Sequence, residues 1–325
     1  MVLEVTRGLS FNPIQSFEFL TCKNSWRWIF ILEGLASALA GVLTFFLLPD
    51  SPLLAKRWLK PDEQRYLQLM LYVTRGEKRA QIEDPKRARQ FKWTTVKQVF
   101  TDGHIYLQAL ICASNTVPNN GLKFTMPQII RNMGFTSTNA QLLSAPPYFA
   151  GAVAAVVSSL WADKLSRRMP FIVFFQSIVV VSMGVLFQYA PHIATDIPTC
   201  YAMVVLACLG VYPIVPGCNA WTVNNLAAAE KRSMGVALMV TVGNVGGFIG
   251  SWIFLNKEAP RYPTGFGTSL AFAAAGIVAA LLLEYLYWRH NKKWEVVPRE
   301  EIQRQYSEEQ LYQMGDRAPT FKYSL

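Results

Sequence analysis

Seven stretches of about 20 mostly apolar residues recur along this chain, each long enough to cross the hydrocarbon core of a bilayer. They run from Trp28 to Leu48, Ile105 to Ile130, Leu143 to Ala162, Met169 to Tyr189, Cys200 to Trp221, Val236 to Phe254 and Ser269 to Trp288. A water-soluble fold of 325 residues has no core large enough for so many, and with 52% hydrophobic and only 16% charged residues the chain lacks the polar surface to cover them. The pattern predicts an all-α, polytopic membrane protein with the lipid bilayer as its main partner. Seven spans put the two termini on opposite sides.

The formal net charge of +10 invites a nucleic-acid reading, and the placement of the charges rejects it. Connections after the first, third and fifth spans, with the C-terminal tail, carry 24 Lys and Arg; the alternate connections and the N-terminal segment carry 6. Basic residues concentrate on cytoplasmic loops, so the tail is expected in the cytoplasm and the N-terminus outside. The densest turn is Asp163, Lys164, Leu165, Ser166, Arg167, Arg168, an acid and three bases between two spans.

Other classes find little support. The five cysteines have no metal-ligand or redox spacing, and His104, His192 and His290 fall on separate connections without forming a cluster. No nucleophile with a paired base and no phosphate-cradling glycine loop occurs, so neither an enzyme nor a cofactor is expected. Seven spans with an external N-terminus also fit a G-protein-coupled receptor. Against that reading stand the 56-residue connection after the first span and the absence of Asn-Pro-x-x-Tyr from the last span. A retinal protein would need a lysine in that span, and none is present.

The expected organisation is a non-spanning segment 1–25, a first span 26–48, a hydrophilic loop 49–104, a six-helix region 105–290 and a tail 291–325. Residues 1–25 lack the features of a secretory signal. Within the loop, Ser51 before Pro52 reads as a helix N-cap, and a second helix is expected from Pro61, with Asp62 and Glu63 in its first turn and Leu67, Met70 and Leu71 as its apolar face. The second span is expected to break at Pro118, Asn119, Asn120, Gly121, and the fifth around Pro213 and Pro216. Asn115, Asn119 and Lys123, at i, i+4 and i+8, share one stripe; lysine at mid-depth is costly in lipid, so the stripe should face inward. Gly243, Gly246, Gly247 and Gly250 in the sixth span have the spacing that lets helix backbones approach closely, with Asn244 placed to bond across the contact. Glu33 is the acid well inside a span.

The sequence Ser159-Leu160-Trp161-Ala162-Asp163-Lys164-Leu165-Ser166-Arg167-Arg168 resembles the major facilitator motif G-x-L-A-D-[RK]-x-G-R-[RK], with serine at both glycine positions. Ser25-Trp26-Arg27-Trp28 through Glu33-Gly34 resembles the entry to span six of that superfamily, and Leu48-Pro49-Asp50-Ser51-Pro52 its exit. Pro127-Gln128-Ile129-Ile130 with Gly134-Phe135 resembles the end of span seven, and Ala259-Pro260-Arg261-Tyr262 with Gly265-Phe266 the loop before span twelve. Together these resemble the allantoate permease, or anion:cation symporter, family. The sequence departs from it at Lys60, where a capping Thr is usual, and at Lys123, where a small residue is common.

The resemblance implies that residues 26–295 correspond to spans six to twelve, with five leading spans missing and the long loop central and cytoplasmic. It implies a proton-coupled secondary transporter of a small organic anion or vitamin-like solute, in the plasma membrane and incomplete in this chain. Substrate contacts are then expected from Asn115, Asn119, Lys123, Tyr212 and Asn219, with Lys123 facing a carboxylate, and a gating turn from Asp163, Lys164, Arg167 and Arg168. In complete transporters the aspartate of such a turn engages span five, so Asp163 would lack that partner here. An exporter of a secondary metabolite and a non-transporting remnant are the alternatives.

Overall fold

The computed structural model describes residues 25–48, 58–75, 93–192, 196–227, 229–259, 261–307, 310–311 and 314–325. Among them the regular structure is entirely helical: α1 (Ser25–Leu47), α2 (Pro61–Arg75), α3 (Trp93–Phe100), α4 (Gly103–Asn132), α5 (Ser137–Leu142), α6 (Ala145–Leu165), α7 (Met169–Tyr189), α8 (Ile197–Asn224), α9 (Ala229–Trp252), α10 (Pro263–Glu295) and α11 (Arg299–Gln305). The described residues group into two compact units, one holding α1, α2 and α5 and the other the remaining helices.

In the first unit, α1 is apolar along its length and all its described side chains are exposed, as suits a helix made for lipid or for another helix. α2 starts at Pro61 as expected, and the Glu63 carboxylate reaches back to accept the Lys60 N–H at 2.8 Å. That is half of a capping box, made although Lys60 itself offers no capping oxygen. Leu67 is half-buried and Met70 exposed; the side chain of Leu71, like the expected cap at Ser51, lies outside the described residues.

The second unit is a bundle of α4, α6, α7, α8, α9 and α10, with α3 against α9. Helix directions follow from paired contacts. The Tyr201 phenol at the start of α8 donates to the Leu143 carbonyl just before α6, so these two run parallel. Ser114 meets Gly276, and the Asn132 amide donates to the Tyr262 hydroxyl, so α4 and α10 run antiparallel. Cys112 lies at Gly243 and Val117 at Gly250, so α4 and α9 run parallel. The starts of α4, α7 and α9 and the ends of α6, α8 and α10 therefore share one end of the bundle, where the Asp163–Arg168 turn also lies.

Among the described residues six helical segments are long and apolar enough to cross a membrane: Phe30–Leu47, Ser137–Leu165, Met169–His192, Ile197–Asn224, Glu230–Trp252 and Pro263–Glu295. The remaining expected span is α4. At 30 residues it is about 45 Å long, but Gln108, Ser114, Asn115, Thr116, Asn119, Asn120 and Lys123 dilute its apolar character. It affords this polarity by contacting three neighbours, α9, α10 and α8.

Neither expected break occurs: α4 runs unbroken through Pro118 and Pro127, and α8 through Pro213 and Pro216. Proline removes one donor from the ladder, so the carbonyls of Ser114 and Lys123 in α4 and of Leu209 and Tyr212 in α8 lose that bond; both helices continue because each is packed against several others.

The α4–α9 seam is made by glycine. A Cβ on Gly246 would fall 2.8 Å from the Ala113 carbonyl oxygen, and one on Gly250 would collide with that of Val117. The two backbones touch because those side chains are missing. Asn244 is exposed, turned away from the contact it was expected to bridge.

Candidate substrate site and the tail end of the bundle

Asn115 and Asn119 flank the midpoint of α4, about 18 and 24 Å from its first residue, and Lys123 stands one turn further on. Along this stripe burial falls away: Asn115 is 1% exposed, Asn119 half-buried and Lys123 exposed, so the stripe turns out of the bundle at the lysine that was expected to face inward. Both polar atoms of the Asn115 amide are buried without a hydrogen-bond partner. Its neighbour Ser114 is in the opposite situation. Gln176 on α7 donates to the Ser114 hydroxyl at 3.1 Å and to the Ala273 carbonyl on α10 at 3.2 Å, joining three helices around the space that Gly276 leaves open.

Tyr212 is not brought to this stripe. Its ring fills the place of a side chain at Gly151 on α6 and stands edge-on to Tyr148, with centroids 6.2 Å apart. Asn219 on α8 is half-buried, and no hydrogen bond links it or Tyr212 to Asn115, Asn119 or Lys123. Of the five expected contacts, the structure thus groups the three on α4.

In the charged turn, Arg168 donates to the Asp163 carboxylate, while Lys164 and Arg167 are exposed. Ser166 ends α6 in the left-handed conformation at φ 52°, its N–H donating to the Asp163 carbonyl. The motif places glycine at this position, and the backbone shows why: a residue without Cβ enters that conformation freely. Because α10 continues to Glu295, Glu284 is also an acid well inside a long apolar helix, half-buried with Oε2 unpartnered. Glu33 is therefore not alone in such a position.

The most elaborate polar structure lies at the end of the bundle shared with that turn. Lys231, at the start of α9, donates at 2.6 Å to both Asp102 and Asp316, and all three are buried. Asp102 is also the N-cap of α4, accepting the His104 N–H at 3.2 Å. His104 and His290, which show no cluster in sequence, both set their rings against Tyr323, with centroids 5.8 and 4.9 Å away. Burial, reinforced by the Asp316 carboxylate, pushes the Tyr323 phenol well above its ordinary range and keeps it a neutral donor to Asp316. Asp102 preceding a long helix is a cap signal that the sequence displays; Lys231, Asp316 and Tyr323 have none. Among the described residues no group of His, Cys, Asp and Glu has the arrangement of a metal site.

Apolar helices of spanning length, packed antiparallel and parallel around a buried polar interior, define a multi-pass helical membrane protein. Residues 17–251 and 109–311 match the sequence profile of the Major Facilitator Superfamily, and the chain belongs to that superfamily. It is 29% identical over 310 residues to the MFS-type transporter cnsO of Penicillium expansum, covering 93% of this chain and 58% of that protein. It is 28% identical over 301 residues to the high-affinity nicotinic acid transporter of Saccharomyces cerevisiae, covering 92% of this chain and 53% of the relative. The MFS transporter prlL of a fungal species is 27% identical over 275 residues, 83% and 52% of the two chains. The chain thus spans a little over half the length of these curated relatives.

Proposed function

We propose that this chain supplies the C-terminal half of a secondary transporter for a small organic anion or vitamin-like solute, of the allantoate permease branch and driven by protons. The observation that carries the reading is the Asn115 amide: buried near mid-helix, unpartnered, and on one stripe with Asn119 and Lys123. An unmet buried amide costs about 1–3 kcal/mol, and a solute with acceptors and donors of its own removes that cost once helix movement opens the stripe to it. Lys123 adds the positive charge that a carboxylate seeks. A relative named for nicotinic acid, itself a carboxylate, supports this chemistry.

Substrate would bind between this half and another, with α4 and α8 lining the cavity and Asn219 as a further contact. Tyr212, held by α6, would shape the wall without touching the solute. In this reading the tail and the Asp163–Arg168 turn face the cytoplasm, and the protein works in the plasma membrane.

Uptake of radiolabelled carboxylates and vitamins tests the proposal in cells expressing a twelve-span transporter that carries this half. Lys123→Ala should abolish uptake at unchanged surface expression, Lys123→Arg should retain part of it, and Asn115→Leu should raise the apparent KM. Unchanged uptake in Lys123→Ala would remove Lys123 from the site.

A further inference from the structure

The C-terminal segment from Gly315 to Ser324 lies in a groove formed by the ends of four helices, and every one of those ends bonds or stacks with it or with its anchor. Asn291 on α10 grips the Tyr323 backbone on both sides, donating to its carbonyl and accepting its N–H, each at 2.9 Å. Asn225, just beyond α8, does the same for Ser324 at 3.1 and 2.7 Å. Trp221 on α8 adds a second donor to the Ser324 carbonyl at 3.0 Å. Tyr323 inserts between His104 on α4 and Tyr287 and His290 on α10. Seven residues upstream, Asp316 reaches Lys231 on α9, which also holds Asp102 at the head of α4.

Two asparagines that each pair with both the N–H and the C=O of one residue recognise backbone rather than side chain. One aromatic ring, that of Tyr323, packs among His104, Tyr287 and His290, and the buried lysine takes an acid. These are the elements of a peptide site: main-chain clamps for affinity, one aromatic anchor and one charge for register. The fit is close, since the cavity left around Asp102, Gln108, Tyr287 and Tyr323 is about 10 Å³, room for no more than about one water.

We infer that this end of the bundle is a peptide-binding groove for a segment that turns through a short 3-10 helix and places an acid seven residues before a tyrosine. Its resident ligand is the chain's own C-terminal segment, and occupancy fastens the ends of α4, α8, α9 and α10 to one another. When the segment leaves, Asn225, Asn291 and Trp221 lose their shared partner and the four ends are free to move independently. The inference concerns the bundle end alone and holds whichever solute is carried.

Hydrogen–deuterium exchange on the full chain in nanodiscs tests it. In Tyr323→Ala, amides at 103–107, 221–226, 230–235 and 287–293 should exchange at least tenfold faster, all four together, while those at 172–184 in α7 keep their rate. Tyr323→Phe should behave as the parent. A synthetic peptide of residues 315–325 added to Tyr323→Ala should restore slow exchange at all four ends, and the same peptide with alanine at the tyrosine position should not. Helix ends that keep parental exchange in Tyr323→Ala would make the segment a passenger, and failure of the peptide to restore protection would deny the groove a ligand. Acceleration throughout the bundle, α7 included, in both Tyr323→Ala and Asn225→Ala would also overturn the inference, because the segment would then be part of the fold.

Discussion

Tyr287 and Tyr323 lie face to face, their ring centroids 4.4 Å apart and their planes 9° from parallel, although one is in the last long helix and the other two residues before Leu325. Trp221 stands edge-on to the same Tyr287 at 5.9 Å, so the stack links the end of α8 to the end of α10 through aromatic edges and faces.

Lys231 is the centre of charge at this end, and removing it leaves two buried carboxylates without a cation. Lys231→Met should destabilise the protein by about 3–5 kcal/mol. Asp102→Asn should cost less, because Lys231 keeps Asp316 and the asparagine still caps α4. The triple variant with Asp102→Asn and Asp316→Asn should recover much of the loss. Thermal unfolding midpoints in detergent decide the order, and a Lys231→Met midpoint equal to the parent's would contradict it.

Ser166→Gly should be stabilising. The φ of 52° costs a residue with a Cβ about 1 kcal/mol that glycine does not bear, partly offset by the greater freedom of glycine when unfolded. A gain of roughly 0.5 kcal/mol is expected, read as a small rise in the same midpoint. Ser159→Gly, inside α6 rather than at its end, should lower it.

At the α4–α9 seam, Gly250→Ala pushes a methyl group against the backbone of Val117, which cannot swing aside as a side chain would. Overpacking of this kind costs about 1–3 kcal/mol. Gly41→Ala, where nothing lies near the added carbon, should be neutral or slightly stabilising. Equal midpoints for the two variants would dissolve the argument that close backbone approach holds these helices together.

The charge asymmetry predicts which faces an impermeant thiol reagent can reach. A cysteine at Lys60 or Lys322 should react only after the cells are permeabilised, and one at Lys257 should react in intact cells. Labelling of Lys60→Cys from outside would invert the topology.

Long apolar runs such as 169–189 and 269–288 announce themselves, because a membrane demands length and apolarity that few other folds require. Pro118 and Pro213 misled for an equally physical reason. In water a proline commonly ends a helix, but α4 and α8 are each held by several neighbours in the bundle and continue past the missing bond. The stripe of Asn115, Asn119 and Lys123 was legible because helical periodicity is local. Tyr212 was misplaced because its direction depends on Gly151, 61 positions earlier. The groove was invisible on the same ground: Trp221 meets Ser324 across 103 residues and Lys231 meets Asp102 across 129, and no periodicity along the chain encodes such pairings.

The hydrogen bonds of Asn225 and Asn291 to the segment they hold go to its peptide groups. Mutational drift at position 324 is therefore unread so long as an N–H remains, whereas proline there erases the donor that Asn225 accepts while altering little else. What this end of the protein reads is an alphabet of backbone atoms, with spelling set at Asp316 and Tyr323.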